Sequence, residues 1–403
     1  MLYFRDTFSI FVALFSFAMT RSTPPLYGTS RRLQAFDMLR FPLAIVVLLE
    51  HVWAVEGLRL QGEAIDLQRF PLFREVIYWI DAFLRNQSVP IYFFISGYVF
   101  FLSVDWSRTT YFHKLRNRVK TLLVPYVVWN AFALGLLVGG QLFLHWSGRA
   151  SGADFQFSFS ALLSCFWDYT NGFFPALQHS LSGGWLQPAY PLDVPLWFLR
   201  DLMIVVVCTP LLYWVLKRLG AWAVGGLGVL WLVLGYLNAG HIYQLVTAFF
   251  FFGWGACMSM GKKELRVEFG RYFTLSMWAY PLLGLLGVVA IHGWPEAAFI
   301  FKRLNILVGL LFAYNAATWL SEHGCCKSQT KLAALSFFIY VAHYPICDRV
   351  RQLLLAVLRP ESDLVLLAVY VSTTVLTIGL LLGVFYLMRR YTPKVLTVLA
   401  GRA

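Results

Sequence analysis

Arg40 and His51 lie eleven residues apart in one apolar stretch, Asp37-Met-Leu-Arg40-Phe-Pro-Leu-Ala-Ile-Val-Val-Leu-Leu-Glu50-His51. On a helix that spacing is about 1100° of turn and about 16 Å of rise, so both side chains share one face at different depths. Charged groups held in hydrocarbon are expensive, and an intramembrane Arg, Glu and His together mark a functional site. A structural ion pair between helices would need fewer ionisable groups than this span carries. An imidazole titrates near neutrality and can take a proton from a hydroxyl as general base, or carry an acyl group as nucleophile. An arginine at the other depth suits an anionic ligand.

The elements that must hold these residues are membrane spans. Apolar residues make up 59% of the 403-residue chain and charged residues 13%, in repeated runs of roughly 20 apolar residues that exceed what a soluble core needs. The class is an all-α polytopic membrane protein, one bundle of about ten helices. Candidate spans lie near 36–55, 88–104, 122–144, 194–216, 222–238, 243–260, 273–292, 301–320, 332–348 and 364–388. With both termini cytoplasmic, roughly twice as many Lys and Arg fall inside as outside, which orients a multi-pass protein of the cell inner membrane and accounts for the net charge of +13 without nucleic acid. Residues 31–395 read as the transmembrane domain and 396–403 as a cytoplasmic tail. Residues 1–30 stand apart: their apolar run is too short to span and lacks a clean cleavage site, which leaves an interfacial helix or an over-extended start. Cys165, Cys208, Cys257, Cys325, Cys326 and Cys347 show no metal-ligand spacing, so neither a metal nor a disulfide framework is expected.

Depth sorts the remaining ionisable residues. Glu50 and His51 fall near the outer end of the first span, Arg200 and Asp201 about two turns into the fourth, and His343 at a similar level of the ninth. Adjacent helical residues point about 100° apart, so Arg200 and Asp201 are expected to find different partners, with Glu50–Arg200 and Asp201–His51 as the natural cross-helix pairs. On the inner side Arg40 neighbours a loop carrying His113, Lys114, Arg116, Arg118 and Lys120, a basic setting suited to a ligand with several phosphates, although any positive-inside loop looks similar.

Asp37-x-x-Arg40 with His51, then Val-Pro-Ile-Tyr-Phe-Phe-Ile-Ser96-Gly97-Tyr98, Leu-Leu-Val-Pro125-Tyr126, Pro195-Leu-Trp197-Phe-Leu-Arg200-Asp201 and Ser336-Phe-Phe-Ile-Tyr-Val-Ala-His343 follow one another in an order that resembles the membrane-bound acyltransferase 3 family over roughly residues 33–390. The resemblance implies a membrane O-acyltransferase, usually an O-acetyltransferase, with cytosolic acyl-CoA (acetyl-CoA) as donor substrate and no bound cofactor. The acceptor it implies is a hydroxyl of a surface glycan or lipid-linked sugar on the outer side. Arg40 and His51 match the family's signature pair. Phe41 stands where Gly is frequent, and Thr121 stands where a second Arg is frequent, with Lys120 as the substitute.

On that reading Arg40, Arg116, Arg118 and Lys120 hold the donor, and His51 with Glu50 and Arg40 performs the chemistry. Asp201, Glu50 or Asp37 orient the imidazole, and Arg200, Ser96 or backbone near Gly97 stabilise the oxyanion. Tyr98, Trp197 and His343 complete the acceptor pocket. The outer loops 56–87 and 145–193, the second with aromatic Phe166–Pro175, would select the acceptor or lie at the interface. A second acyl-transfer step would need a separate periplasmic or extracellular protein. The competing class is an exporter of a glycan or its precursor using the same polar cluster, which predicts related halves that the sequence does not display.

Overall fold

The computed structural model describes residues 29–54, 59–60, 63–102, 106–148, 158–169, 188–324 and 329–401. Residues 1–28, most of the aromatic loop after Tyr169, and Cys325 and Cys326 lie outside them. The described residues are helical apart from connections and a two-residue antiparallel pairing, Arg59–Leu60 with Glu63–Ala64. The chain is an all-α polytopic membrane protein. Among the described residues, five helices are long and apolar enough to cross a bilayer, six counting one bent pair.

All ten apolar runs fall on helices. α1 is Thr29–Val52, followed by α2 (Pro71–Phe83) and α3 (Ser88–Phe101). α4 (Arg108–Arg118) runs through a π-helical turn, Val119–Leu123, into α5 (Val124–Trp146), and α6 is Phe159–Cys165. α7 (Trp197–Val207) and α8 (Thr209–Leu219) follow a 3-10 turn at Val194–Leu196. Next come α9 (Ala221–Tyr236), α10 (Gly240–Met260), α11 (Leu265–Gly270), α12 (Phe273–Ile291), α13 (Pro295–Glu322), α14 (Gln329–Leu358), α15 (Asp363–Tyr391) and α16 (Pro393–Leu399).

Three elements depart from expectation. The fourth run is not one rod: α7 and α8 meet at a 65° bend where Pro210, in the first turn of α8, cannot supply a backbone donor to the preceding turn. The 56–87 loop contains α2, an amphipathic helix with Phe73, Ile77 and Ala82 buried, which a search for uniformly apolar runs passes over. The supposed tail is ordered, since α16 packs on α5 and α15 with Leu396 and Ala400 buried, and Trp129 Nε1 donates to the Leu399 carbonyl at 3.1 Å.

α1 sits in the middle of the bundle, packed on α14 and α13 and also touching α3 and α15. Ala44 and Leu48 are fully buried along its length. The outer helices turn large apolar side chains outward, such as Leu142 and Phe143 on α5, Trp222 and Val229 on α9, and Val375 and Leu376 on α15, as a lipid-facing surface requires. α3 is short, 14 residues, and nearly all buried. It crosses α10 through reciprocal glycines: a Cβ on Gly97 would meet the Phe252 carbonyl oxygen at 2.0 Å, and one on Gly255 the Phe94 carbonyl oxygen at 2.1 Å. Gly97 therefore serves a backbone crossing. Tyr98 beside it is buried, edge-on to Phe36, with its hydroxyl donating to the Lys263 carbonyl at 3.3 Å.

Gly97→Ala is expected to lower stability by about 1–3 kcal/mol, the usual range for forcing added methyl volume into a packed contact. Thermal unfolding in detergent measures it, and an unshifted midpoint would mean the α3–α10 crossing is not this tight.

Candidate active site

Two cavities open along α1. The inner one, about 260 Å³, is walled by Arg40 of α1, Tyr92 and Ser96 of α3, Arg118 and Thr121 from α4 and the π turn, Phe198 of α7 and Tyr340 of α14. Arg40 Nη1 pairs with Asp37 Oδ1 at 2.7 Å, and the Arg40 side chain keeps 37% of its surface exposed. That leaves most of its donors available to a ligand. Tyr92 donates its hydroxyl to the Arg40 carbonyl at 2.7 Å and so ties α3 to this level of α1.

The basic segment divides its charges. Lys114 donates to the Phe100 carbonyl and lies over the Phe100 ring, while Arg116 and Lys120 are exposed and outside the cavity wall. Arg118 reaches the cavity beside Arg40. The π turn, closed by Val124 N on the Val119 carbonyl, shifts the helix face within this segment. Arg118, Thr121 and Leu122 line the cavity at the i, i+3, i+4 spacing of one helix face, and Lys120 is not on its wall.

The outer cavity, about 500 Å³, is walled by Glu50 and His51, by Arg85 and Asn86 at the α2–α3 turn, by Trp197, and by Tyr340, Tyr344 and Arg351 of α14. The His51 ring lies 5.2 Å from His343 and 5.5 Å, edge-on, from Tyr344, between ring centroids. His343 is fully buried and its Nδ1 faces the carbonyls of Tyr340 at 2.7 Å and Ile339 at 3.1 Å. A ring nitrogen between two carbonyl oxygens must carry the proton, which leaves Nε2 as an acceptor. The Nε2 atoms of both His343 and His51 are buried with no hydrogen-bond partner among the described residues. Arg351 caps the end of α1, donating from Nη1 to the carbonyls of Val52 at 3.2 Å and Ala54 at 2.9 Å while Nη2 pairs with Asp348 at 2.9 Å. His51 is thus fixed from two sides by α14.

The expected cross-helix pairs do not form. Glu50 Oε1 accepts from the Asn86 backbone N–H at 3.1 Å. Arg200 Nε pairs with its own neighbour, Asp201 Oδ1, at 2.8 Å, both side chains buried. The 100° rule fixes where Cβ atoms point, but an arginine is long enough to fold back around its helix. Arg200 Nη1 holds backbone, reaching the Trp167 carbonyl at 2.7 Å and the Ala189 carbonyl at 3.2 Å with the guanidinium over the Trp167 ring, while Nη2 and Asp201 Oδ2 are buried with no hydrogen-bond partner among the described residues. Neither Arg200 nor Asp201 lines either cavity. They fasten the described ends of the 145–193 loop. Ser96 faces the inner cavity, away from the oxyanion position expected near His51, and Asp37 is likewise an inner-side residue.

Residues passed over by the sequence reading complete the outer site. Asp81 binds both Arg85 at 3.0 Å and Lys302 at 2.7 Å, the first an i,i+4 pair between the last turn of α2 and the α2–α3 turn. Tyr340 and Tyr344 lie three residues before and one after His343, within or beside the quoted motif. Arg351 lies two turns beyond it, past the end assigned to that span.

A family profile described as the Acyltransferase domain matches residues 33–387. The chain is similar to the Succinoglycan biosynthesis protein ExoH of Rhizobium meliloti (strain 1021), 22% identical over 346 residues that cover 80% of this chain and 82% of that protein. No solved structure matches.

Behind the outer cavity the carboxyl of Asp193 is buried, and neither oxygen has a hydrogen-bond partner among the described residues, although its backbone N–H donates to Asn130 Oδ1 at 3.1 Å. Burial pushes this carboxyl well above the usual carboxylate range, so the fold prefers it protonated. A raised folded value means stability is lost as pH rises from the ordinary carboxylate range toward that value. Asp193→Asn, which imitates the neutral form, is expected to remove this loss and to raise the unfolding midpoint at neutral pH. A lower midpoint in thermal unfolding would show instead that the ionised carboxylate is held by a favourable partner.

Proposed function

The chain belongs to the acyltransferase family whose profile spans residues 33–387, and from that premise we propose that it moves an acyl group, acetyl in the simplest case, from acyl-CoA on the cytoplasmic side to a hydroxyl of an extracytoplasmic glycan or lipid-linked sugar. One observation carries this reading: a single helix places Arg40 in one cavity and His51 in another, about 16 Å further along. That separation suits an extended pantetheine arm. The excess of Lys and Arg on the Arg40 side supports reading it as the cytoplasmic side of a protein in the inner membrane. A relative named for succinoglycan biosynthesis fits a surface polysaccharide as acceptor.

In this scheme the coenzyme A phosphates meet Arg40 and Arg118, and the thioester lies beside His51. His51 takes the proton of the acceptor hydroxyl as the oxygen attacks the thioester carbonyl. The carbon–sulfur bond then breaks, and the imidazolium returns its proton to the departing thiolate. His343 lies close enough to steady the His51 ring directly or through one water, with its own tautomer set by the two carbonyls. Tyr344, Asn86 and Arg351 supply polar groups around the reacting atoms, and Trp197 offers a face on which a sugar can stack.

Labelled acyl-CoA supplied to membranes, with the glycan fraction counted afterwards, tests the scheme. His51→Ala at matched abundance is expected to lower kcat by about 10²–10⁴ or more. Label incorporated independently of His51 would remove the mechanism, and none from the native protein in the presence of its glycan would favour the exporter. For the donor end, Arg40→Ala and Arg118→Ala are each expected to raise KM for acyl-CoA by about tenfold or more with a smaller effect on kcat, whereas Lys120→Ala leaves KM unchanged. A KM that responds to Lys120 and ignores Arg118 would contradict the assignment.

A further inference from the structure

Tyr340 is the one residue common to the walls of both cavities among the described residues. Its ring is buried, and its hydroxyl donates to the Pro195 carbonyl at 2.5 Å. Pro195 lies in the 3-10 turn Val194–Leu196 that leads into α7. The ring stands inside a column of aromatic contacts running from the inner anchor to the outer imidazole. Tyr92, bonded to the Arg40 carbonyl, is 5.8 Å from Phe198; Phe198 is 5.9 Å and edge-on to Tyr340; Tyr340 is 6.4 Å from His343; and His343 is 5.2 Å from His51, all between centroids.

We propose that Tyr340 is the partition between the two cavities and the residue that fixes what passes from one to the other. Phe198 and Tyr92 face the inner cavity only, and His51 the outer only, so Tyr340 alone has open space on both sides. Its only side-chain hydrogen bond among the described residues is to that short turn, and the ring otherwise rests on edge-on or tilted contacts with Phe198, Phe337 and His343. Breaking that bond frees the ring to rotate about χ1 once these neighbours give way. In its latched position the ring keeps the inner and outer cavities from forming a continuous water path. When it swings aside, the opening admits a slim chain such as a pantetheine arm with a short acyl group. This assignment rests on the acyl-CoA reading for the identity of the passing chain. The partition itself does not.

The test separates the two. The purified full chain is reconstituted into liposomes loaded with a pH-sensitive dye, and the decay of an imposed proton gradient is followed without any substrate. Native vesicles stay tight, and Tyr340→Ala is expected to speed the decay by about tenfold, since a one-ring constriction is replaced by a wet passage. Tyr340→Phe keeps the ring but loses the latch, and a smaller rise, about twofold to fivefold, is expected. Alanine vesicles as tight as native, with the variant folded and inserted, overturn the proposal. If the alanine variant does not insert, a phenylalanine variant with native decay overturns it equally. A second readout compares hexanoyl-CoA with acetyl-CoA as donors: Tyr340→Ala should raise the hexanoyl-to-acetyl ratio of kcat/KM by about tenfold or more, and an unchanged ratio denies Tyr340 the selecting role. Faster leakage in a protein that transfers no acyl group would support the partition and remove the acyl-CoA reading. Intact acyl transfer with no change in leakage would do the reverse.

Discussion

Helix α1 carries Asp37, Arg40, Glu50 and His51 along one rod through the centre of the bundle, and hydrocarbon offers none of them a partner. An ionisable group at the middle of a membrane helix costs on the order of 3 kcal/mol even on the more lenient scales. The surrounding helices are arranged to meet that demand. Asp37 answers Arg40 within one turn. The α2–α3 turn brings the Asn86 N–H to Glu50. α14 supplies His343 and Tyr344 beside His51, and Arg351 at the helix end. The burial of α1 between α13 and α14 follows from the same demand, since a helix with polar groups at both ends of its span is poorly suited to face lipid.

The two ends are satisfied in different ways, and the difference has chemical content. At the inner end Arg40 has one carboxylate partner and open space, with Arg118 on the wall of the same cavity. At the outer end the cations are already engaged: Arg85 and Lys302 share Asp81, and Arg351 holds Asp348 and two carbonyls. Among the buried polar atoms that the outer end leaves unbonded are the Nε2 atoms of His51 and His343. An anion is drawn to the first environment, and a proton-transfer step belongs in the second. Tyr340 stands where they meet.

Much of the fold was legible because the bilayer fixes the length of an apolar run, and the ten runs fall on helices, the fourth on the bent pair α7–α8. α2 was not, because its apolar face is only one stripe, and the break between α7 and α8 was signalled by Pro210 alone. In the site, Arg40, Glu50, His51 and His343 could be placed from depth along their helices, and Trp197 came with the motif around Arg200. Arg200 and Asp201 were at the right depth, yet they bind each other and the loop backbone, which a long side chain allows and helical periodicity does not reveal. Of the basic residues placed on the inner side, Arg118 lines the cavity while Arg116 and Lys120 do not, a matter of which helix face meets α1 that the charge pattern alone does not reveal. Gly97 lay on a quoted motif for a packing reason, visible only once Phe252 is set against it.

The central claim is that donor and acceptor reach one imidazole from opposite faces of the membrane. Sealed vesicles of known orientation, given labelled acyl-CoA on one side and glycan acceptor on the other, test it most directly. Transfer is predicted only when acyl-CoA is on the face that carries Arg40 and Arg118 and the acceptor is on the His51 face. Equal transfer with both substrates confined to the Arg40 face would contradict the account.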